Sequence, residues 1–395
     1  MQTNTAEAPF AGLRVLEFGQ IAAGPFTGSL LADLGADVVK IERAGDGDGM
    51  RQWPPLMDAP DGPSRYSGNF ASINRNKRSV AFDLKSPDDK ASVLELARTA
   101  DVVVENFRAG TLDRLGLGYD VLADTNPKIV YCSISGYGQI GPYSRRGAFD
   151  VTVQAISGLM SITGDEHGDP VKCGVPVGDF VAGLYAAYTI AATVHRATRT
   201  GIGGRIDCSM LGTLLGISAL QTSEYFGSGR DPRRLGSAHP RNAPYRAFRA
   251  ADKSFVVAAG NHDLWKRFCD VVEMPQLVSD ERFRTQELRA RNQDTLTHVL
   301  AVRFLEKKAA AWLITFEGAG VPCAPINTFS EILDDPHVAA MGLVKPLRLP
   351  NGVTTDTISF PVPITGHETE LRTPPMLGEH NDEVMKEWLD ERCDR

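Results

Sequence analysis

At 395 residues the chain is too long for one ordinary core, so two domains are expected, and 42% apolar with 23% charged residues places it among soluble globular proteins. A net charge of −7 argues against nucleic acid or an anionic membrane surface as the main partner, while a local basic patch can still hold an anionic ligand. The six cysteines (Cys132, Cys173, Cys208, Cys269, Cys323, Cys393) form no CxxC and no His/Cys cluster, the pattern of a reduced, cytoplasmic protein without structural zinc or another metal site. Met1 to Phe10 lacks a basic segment followed by an apolar core, so no secretory signal is expected. The longest apolar stretch, Phe180 to Val194, is interrupted by Gly183 and two tyrosines. It reads as a buried helix too short to span a bilayer.

The chain opens with a short apolar strand, Arg14 to Phe18. Gly24-Pro25 then starts a helix through Leu31, with proline at a first helical position, and Asp37 to Glu42 is the second strand. Strand, turn, helix and strand within about thirty residues make a βαβ unit and imply a parallel sheet. Strands at Ser79–Leu84, Asp101–Asn106 and Lys128–Ile134, with helices at Pro87–Arg98 and Tyr119–Thr125, extend it to a doubly wound, Rossmann-like α/β domain. A long apolar helix from Phe180 to Ala197 follows. After the break at Gly201 to Gly204 come a strand to Met210 and an apolar helix to Phe226. The segment 227–244 is basic and rich in Gly and Pro, and reads as a linker and mobile loop. A smaller α+β unit follows, with strands at Tyr245–Arg249 and Ser254–Ala259 and helices near Asp263–Val272, Gln293–Leu305 and Ala309–Glu317. The tail carries strand-like segments Leu343–Leu349 and Val353–Phe360 that need partners in the large domain, then a helix after Gly378. The expected division is 1–226, 227–328 and 329–395.

Two features imitate a dinucleotide site. Glu42 ends the second strand as a ribose-binding acid does, and Gly136-Tyr-Gly-Gln-Ile-Gly141 matches GxGxxG. Pro142 and a polar stretch follow that match, not an apolar helix, so dinucleotide binding is set aside. The stretch that organises the chain is Gly174-Val-Pro-Val-Gly-Asp-Phe180, which sets Asp179 between a glycine turn and the long apolar helix. An isolated aspartate in that position is an ordinary helix N-cap. The preceding tight loop, Gly164 to Pro170, is expected to close over it.

The ordered motifs resemble the class III CoA-transferase family, which includes formyl-CoA transferase, the carnitine and bile-acid CoA-transferases and the α-methylacyl-CoA racemases. The matching stretches are Glu17-Phe18, Ala23-Gly24-Pro25, Leu34 to Arg43, Asn74-Arg-Asn-Lys-Arg-Ser79, Val104-Glu-Asn-Phe107, Leu112 to Gly118, Ser135-Gly-Tyr-Gly138, Phe149-Asp150, Gln154, Gly178-Asp179 and Val321 to Pro325. They run in order over about 320 residues. Tyr131 to Pro142, Ile162 to Pro170, Gly236-Ser-Ala-His239 and Phe316 to Pro322 are most similar to succinyl-CoA-dependent glutarate and itaconate enzymes.

The resemblance implies that Asp179 is the nucleophile. Its carboxylate attacks an acyl-CoA thioester, and the released thiolate turns the resulting anhydride into an aspartyl-CoA thioester as the donor acid departs. The acceptor carboxylate then reverses these steps. An aspartate is ionised at neutral pH and needs no general base, and exchange of thioesters is nearly thermoneutral. CoA thioesters are substrates, and no permanently bound cofactor is expected. The resemblance places CoA on Ile21, Ala22 and Ala23, Arg43, Ile73, Asn76 and Lys77, Asn106 and Phe107, Arg114, and Ala148, Phe149 and Asp150, with Arg43, Lys77 and Arg114 suited to phosphates. Gln154 is expected near Asp179, and Arg75, His239 and Arg241 to hold the acceptor's distal carboxylate. Amides near Gly178 or in Gly236–Ala238 are expected to face the oxyanions. An interlocked homodimer is implied. Racemases of this fold carry a histidine where Phe149 stands, so an α-methylacyl-CoA racemase or epimerase is the alternative that Phe149 disfavours. A non-catalytic CoA-binding protein is the one that Asp179 disfavours.

Overall fold

The structure, a computed structural model, describes residues 7–390. Cys393 and the first six residues of the N-terminal stretch lie outside the described residues. The strands of the first unit are β1 (Arg14–Glu17), β2 (Asp37–Arg43), the hairpin β3 (Leu56–Asp58) and β4 (Arg65–Ser67), β5 (Arg78–Phe82), β6 (Val102–Glu105), β7 (Val130–Ser135) and β8 (Gly204–Ser209). Its helices are α1 (Ala23–Asp33), α2 (Gly68–Asn74), α3 (Pro87–Thr99), α4 (Thr111–Leu115), α5 (Tyr119–Thr125), α6 (Asp150–Ile156), α7 (Val177–Thr200), α8 (Met210–Ile217) and α9 (Ala219–Ser228).

Six strands form one parallel sheet in the order β5-β2-β1-β6-β7-β8. β1, β6 and β7 are buried along their whole length, as continuous apolar runs such as Val102-Val-Val-Glu105 require in a sheet covered on both faces. Val15, Val38, Val104 and Ile134 pack with α1 and α7 on one face. Leu16, Val39, Val103 and Tyr131 pack with α3 and the C-terminal helix Asn381–Asp390 on the other, where Val384 and Trp388 are buried. The winding reverses between β1 and β6, and ligands of doubly wound sheets bind at the carboxyl ends of the strands flanking such a reversal. No helix opens at the GxGxxG match: Gly138 and Gly141 take left-handed turns, and the next helix starts only at Asp150.

Residues Met1–Leu159, Lys172–Gly229 and His337–Arg395 form the first unit, and Met160–Val171 with Arg230–Pro336 the second. The division expected from sequence, 1–226, places Met160–Val171 in the large domain instead. Hydrogen bonds invisible in sequence tie it to the second unit: Arg234 donates to the carbonyls of Ser161, Asp165 and Gly168, and Gly236 N donates to Gly164 O at 2.9 Å. The second unit carries an antiparallel sheet of β9 (Tyr245–Arg249), β10 (Ser254–Ala258) and β11 (Cys323–Pro325). Phe255, Trp265, Phe268, Phe304, Trp312 and Phe316 fill its core, with Phe268 stacked on Phe316 at 5.3 Å.

The tail strands β12 (Val344–Arg348) and β13 (Thr354–Ile358) pair with each other rather than extending the main sheet. Leu347 and Leu349 are buried with Met50, Tyr66 and Phe70. α7 also departs from expectation. It is 24 residues long, enough by length and composition to cross a membrane, yet Ala182, Ala186 and Ile190 bury one face in the core. Its opposite face, with Leu184, Tyr185 and Tyr188, is exposed, so the helix is half-buried rather than enclosed.

Candidate active site

Asp179 is not a helix cap. The helix is entered through Pro176, and Asp179 is its third residue, half-buried in the first turn. Gly178 brings the backbone of this turn against α6, where a Cβ would stand 3.0 Å from Asp150 Oδ1 and 3.3 Å from Met210 Cε. Asp150 Oδ1 accepts from Gly178 N at 2.7 Å, and its Oδ2 accepts from Gln154 Nε2 at 2.6 Å. Gln154 is fully buried, and its Oε1 accepts from Cys173 N at 2.9 Å. The Asp150–Gln154 pair thus clamps both ends of the strap 173–178 that delivers Asp179. Burial, and then the charge of Asp150, push the Asp179 carboxyl up to about 6. The helix N-terminus favours the anion but does not outweigh these two effects.

Asp179 opens onto a cavity of about 110 Å³ beside the β1/β6 reversal. Its wall includes Ala23, Asn106, Phe107, Arg108, Arg146 and Ala148. This volume admits a thioester group rather than a whole cofactor, since drug-sized ligands fill roughly 300 Å³ or more. Asn106 closes the reversal, with Oδ1 accepting from Gln20 N at 2.8 Å and Nδ2 donating to Gln20 O at 2.9 Å. Behind it the buried Glu105 accepts from Phe107 N at 2.8 Å, and burial pushes its carboxyl up to about 7.

Among the residues expected at the site, the structure gathers Asp179, Ala23, Asn106, Phe107 and Ala148 around this cavity, with Asp150 and Gln154 supporting it. Phe149 is the N-cap residue of α6 and is 80% exposed. Ile21 and Ala22 form the turn entering α1. Arg43 is exposed and pairs with Asp46 at 2.5 Å, while Arg114 donates to Thr111 Oγ1 at 3.2 Å. His239 and Arg241 lie in the second unit, where the His239 ring faces Tyr245 at 5.1 Å and its Nδ1 accepts from Arg241 N at 3.0 Å.

Four expectations are corrected. Lys77 cannot meet a phosphate: it is buried, paired with the Glu17 carboxylate at 2.7 Å, and donates to Pro25 O (2.7 Å) and Asn74 Oδ1 (3.0 Å). Arg75 cannot hold a distal carboxylate, because Asp33 already does so at 2.6 Å in the interior, with a second bond to Ser72 O. The buried Asn76 is also engaged, donating to Asp33 Oδ1 at 2.8 Å and accepting from Arg372 N at 2.6 Å, and Ile73 packs in the core beside it. The Gly178 amide is committed to Asp150, and the amides of Gly236 and Ala238 to Gly164 O and Leu235 O, so none of these three faces an oxyanion. Arg108 and Arg146 went unnoticed in the sequence. Both are exposed cations on the cavity wall, and Arg146 lies 3.8 Å over the Tyr143 ring. Only their proximity to Phe107 and Ala148, both expected at CoA, hinted at them.

A doubly wound sheet with a half-buried carboxylate of raised basicity at its reversal and cations on the cavity wall is the arrangement of an enzyme of carboxylate chemistry on an anionic ligand. The chain belongs to CoA-transferase family III, whose sequence pattern matches residues 10–381, and as a CoA-transferase it acts on CoA thioesters. It is 40% identical over 386 residues to the succinyl-CoA:glutarate CoA-transferase of Mus musculus, covering 96% of this chain and 86% of that one. It is 38% identical over 381 residues to the succinate–glutarate CoA-transferase of Agrobacterium fabrum, covering 96% and 95%. A crystal structure of a CAIB/BAIF family protein from Brucella suis superimposes with a TM-score of 0.86 at 36% identity, over 97% of this chain and 100% of that one.

Proposed function

We propose that the enzyme moves CoA from succinyl-CoA to a small dicarboxylate, glutarate or itaconate, with Asp179 as the nucleophile. The observation that carries this reading is the Asp179 carboxylate itself: half-buried, raised to about 6, and set in a cavity of thioester size. A carboxylate of that basicity is a better nucleophile than a free aspartate and is still largely ionised at pH 7. It attacks the succinyl carbonyl, the C–S bond breaks, and CoA leaves as thiolate. The thiolate attacks the aspartyl carbonyl of the anhydride, giving aspartyl-CoA thioester and free succinate. The acceptor carboxylate then attacks that thioester, and the returning thiolate carries off the new acyl group and frees Asp179. No proton transfer is needed in the sum. Water would hydrolyse either intermediate, and the small cavity limits its access.

The test is transfer from succinyl-CoA to glutarate, itaconate, malate, mesaconate and oxalate, with mass detection of a CoA adduct on Asp179. Transfer with the adduct supports the reading. Silence across the panel, with deuterium entering a 2-methylacyl-CoA in heavy water, would put racemisation in its place. Because only the ionised carboxylate attacks, kcat/KM for succinyl-CoA should fall as pH drops through about 6. A profile flat to pH 4.5 would count against Asp179 as nucleophile.

Arg108 and Arg146 are the cations best placed for CoA phosphates as the cofactor leaves the cavity. Replacing either with Ala should raise KM for succinyl-CoA roughly tenfold with kcat nearly unchanged, the size expected of a charge-assisted hydrogen bond. Steady-state kinetics at two salt concentrations checks this. A homodimer is part of the proposal. Tyr188 and Phe226 are 75% and 81% exposed on α7 and α9, beside exposed Leu184 and Leu220, which suits a face covered by a second copy. Sedimentation of the purified protein would read a monomer or a dimer directly. The cytoplasm is the proposed compartment, in keeping with free thiols at Cys132, Cys173, Cys208, Cys269 and Cys323.

A further inference from the structure

Beneath the turn joining β1 to α1 lie Glu17, Lys40, Asp48 and Lys77, all withdrawn from solvent. Lys40 Nζ bridges Glu17 Oε1 and Asp48 Oδ2, each at 3.0 Å, and donates to Gly19 O at 2.6 Å. Lys77 joins Glu17 to Pro25 O. Asp48 reaches further than the others. Its two oxygens share the Ile21 amide at 3.2 and 3.1 Å, and Oδ1 also accepts from Met50 N at 2.9 Å.

Ile21 is the reason this matters. It has a φ of 65°, a left-handed conformation that a β-branched residue adopts only when its surroundings impose it. The residues on either side form the reversal. Gln20 exchanges two backbone bonds with the Asn106 side chain, and Ala23 lines the Asp179 cavity. There is no slack nearby, since a Cβ on Gly24 would stand 2.9 Å from Gly19 Cα and 3.1 Å from the Asn106 side chain. If Ile21 relaxed to negative φ, the Gly19–Ala23 backbone would move and take Asn106 with it.

We propose that Asp48 is a positioning residue for CoA transfer: by holding the Ile21 amide it fixes the left-handed turn that shapes the thioester cavity. Asp48 itself touches no substrate. The inference rests on the functional reading above for its enzymatic readout, and on the geometry of the turn for everything else.

Three variants separate positioning from plain stability. Asp48→Ala removes the acceptor, and should raise KM for succinyl-CoA and Kd for CoA tenfold or more. Asp48→Asn keeps an oxygen for the amide but loses the charge facing Lys40, so its unfolding temperature should drop while KM stays within threefold of wild type. Asp48→Ala with Ile21→Gly supplies a residue that adopts positive φ without support, so it should bind CoA as Ile21→Gly alone does, whatever the lost Ile21 side chain itself costs, while its unfolding temperature stays below that of Ile21→Gly. CoA binding is measured by isothermal titration calorimetry, KM by steady-state transfer, and unfolding by differential scanning calorimetry. The proposal is overturned if Asp48→Ala binds CoA as wild type does. It is equally overturned if Asp48→Ala with Ile21→Gly binds CoA tenfold or more weakly than Ile21→Gly alone, or if affinity tracks unfolding temperature across the three variants. Should Asp48→Ala not fold, Asp48→Asn decides: a KM rise matching its loss of stability overturns the idea, and a near-normal KM supports it. A wild type that binds CoA but transfers none would refute the functional reading and leave the calorimetric test of Asp48 standing.

Discussion

Asp179→Asn is expected to abolish CoA transfer and at the same time make the protein more stable. The loss follows from the chemistry: an amide forms no anhydride with the succinyl group, and removal of a nucleophile lowers turnover by roughly 10⁴-fold or more. The gain follows from electrostatics. The folded state raises the Asp179 carboxyl from 3.8 to about 6, through burial first and the Asp150 charge second. A carboxyl raised on folding weakens the fold wherever it is ionised. The penalty is therefore full above about 6, fades as pH falls, and is gone below 3.8. Replacing the charge at pH 7 should return about 1–3 kcal/mol, seen as a higher urea midpoint. At pH 4 the two proteins should differ little. A variant no more stable than wild type at pH 7, or one that still transfers CoA, would remove Asp179 from the role assigned to it.

That conflict between function and stability was only partly readable from sequence. The parallel sheet was legible because buried strands are written as short apolar runs, and Val102-Val-Val104, or Val38-Val39 with Ile41, admit few other readings. Gly178-Asp179 was legible as a motif, but its bare chemistry suggested a helix cap, and only the three-dimensional path through Pro176 moves the aspartate into the first turn. The Asn74-Arg-Asn-Lys-Arg78 run misled for a related reason. Five polar residues in sequence look like a solvated basic turn. The acids that neutralise Arg75, Lys77 and Arg78 come from Asp33, Glu17 and Asp37, on other elements of the first unit. Sequence reports charge locally, whereas burial of charge is a long-range property. Arg108 and Arg146 were overlooked because an exposed arginine has no local signature. What distinguishes them is a shared cavity wall assembled from the loops after β6 and β7 together with α7.

Glu17 carries the largest expected effect on stability. It is completely buried, with Lys40 on one oxygen at 3.0 Å and Lys77 on the other at 2.7 Å. In Glu17→Ala, Lys40 keeps Asp48 and Gly19 O, but Lys77 is left with only the neutral Pro25 O and Asn74 Oδ1. Breaking a buried ion pair from one side destabilises by about 3–5 kcal/mol, because the remaining charge stays out of water without a counter-ion. The pH dependence identifies that charge. Burial already holds Lys77 down to about 8 from 10.5, with Lys40 pushing the same way and Glu17 opposing both. Loss of Glu17 lowers it further. A lysine depressed on folding weakens the fold below its folded value, and the penalty lifts as pH rises toward 10.5. In wild type that recovery begins near 8; in Glu17→Ala it must begin lower, so the variant should gain on wild type between pH 7 and 8. Pairing the change with Lys77→Met removes the stranded ammonium, and should recover a substantial part of the loss together with its pH dependence. Chemical denaturation of the four proteins at pH 7 and 8 measures the cycle. If Glu17→Ala lost less than about 1 kcal/mol, the scale of an exposed pair, the cluster would not be the buried ionic knot that these distances describe.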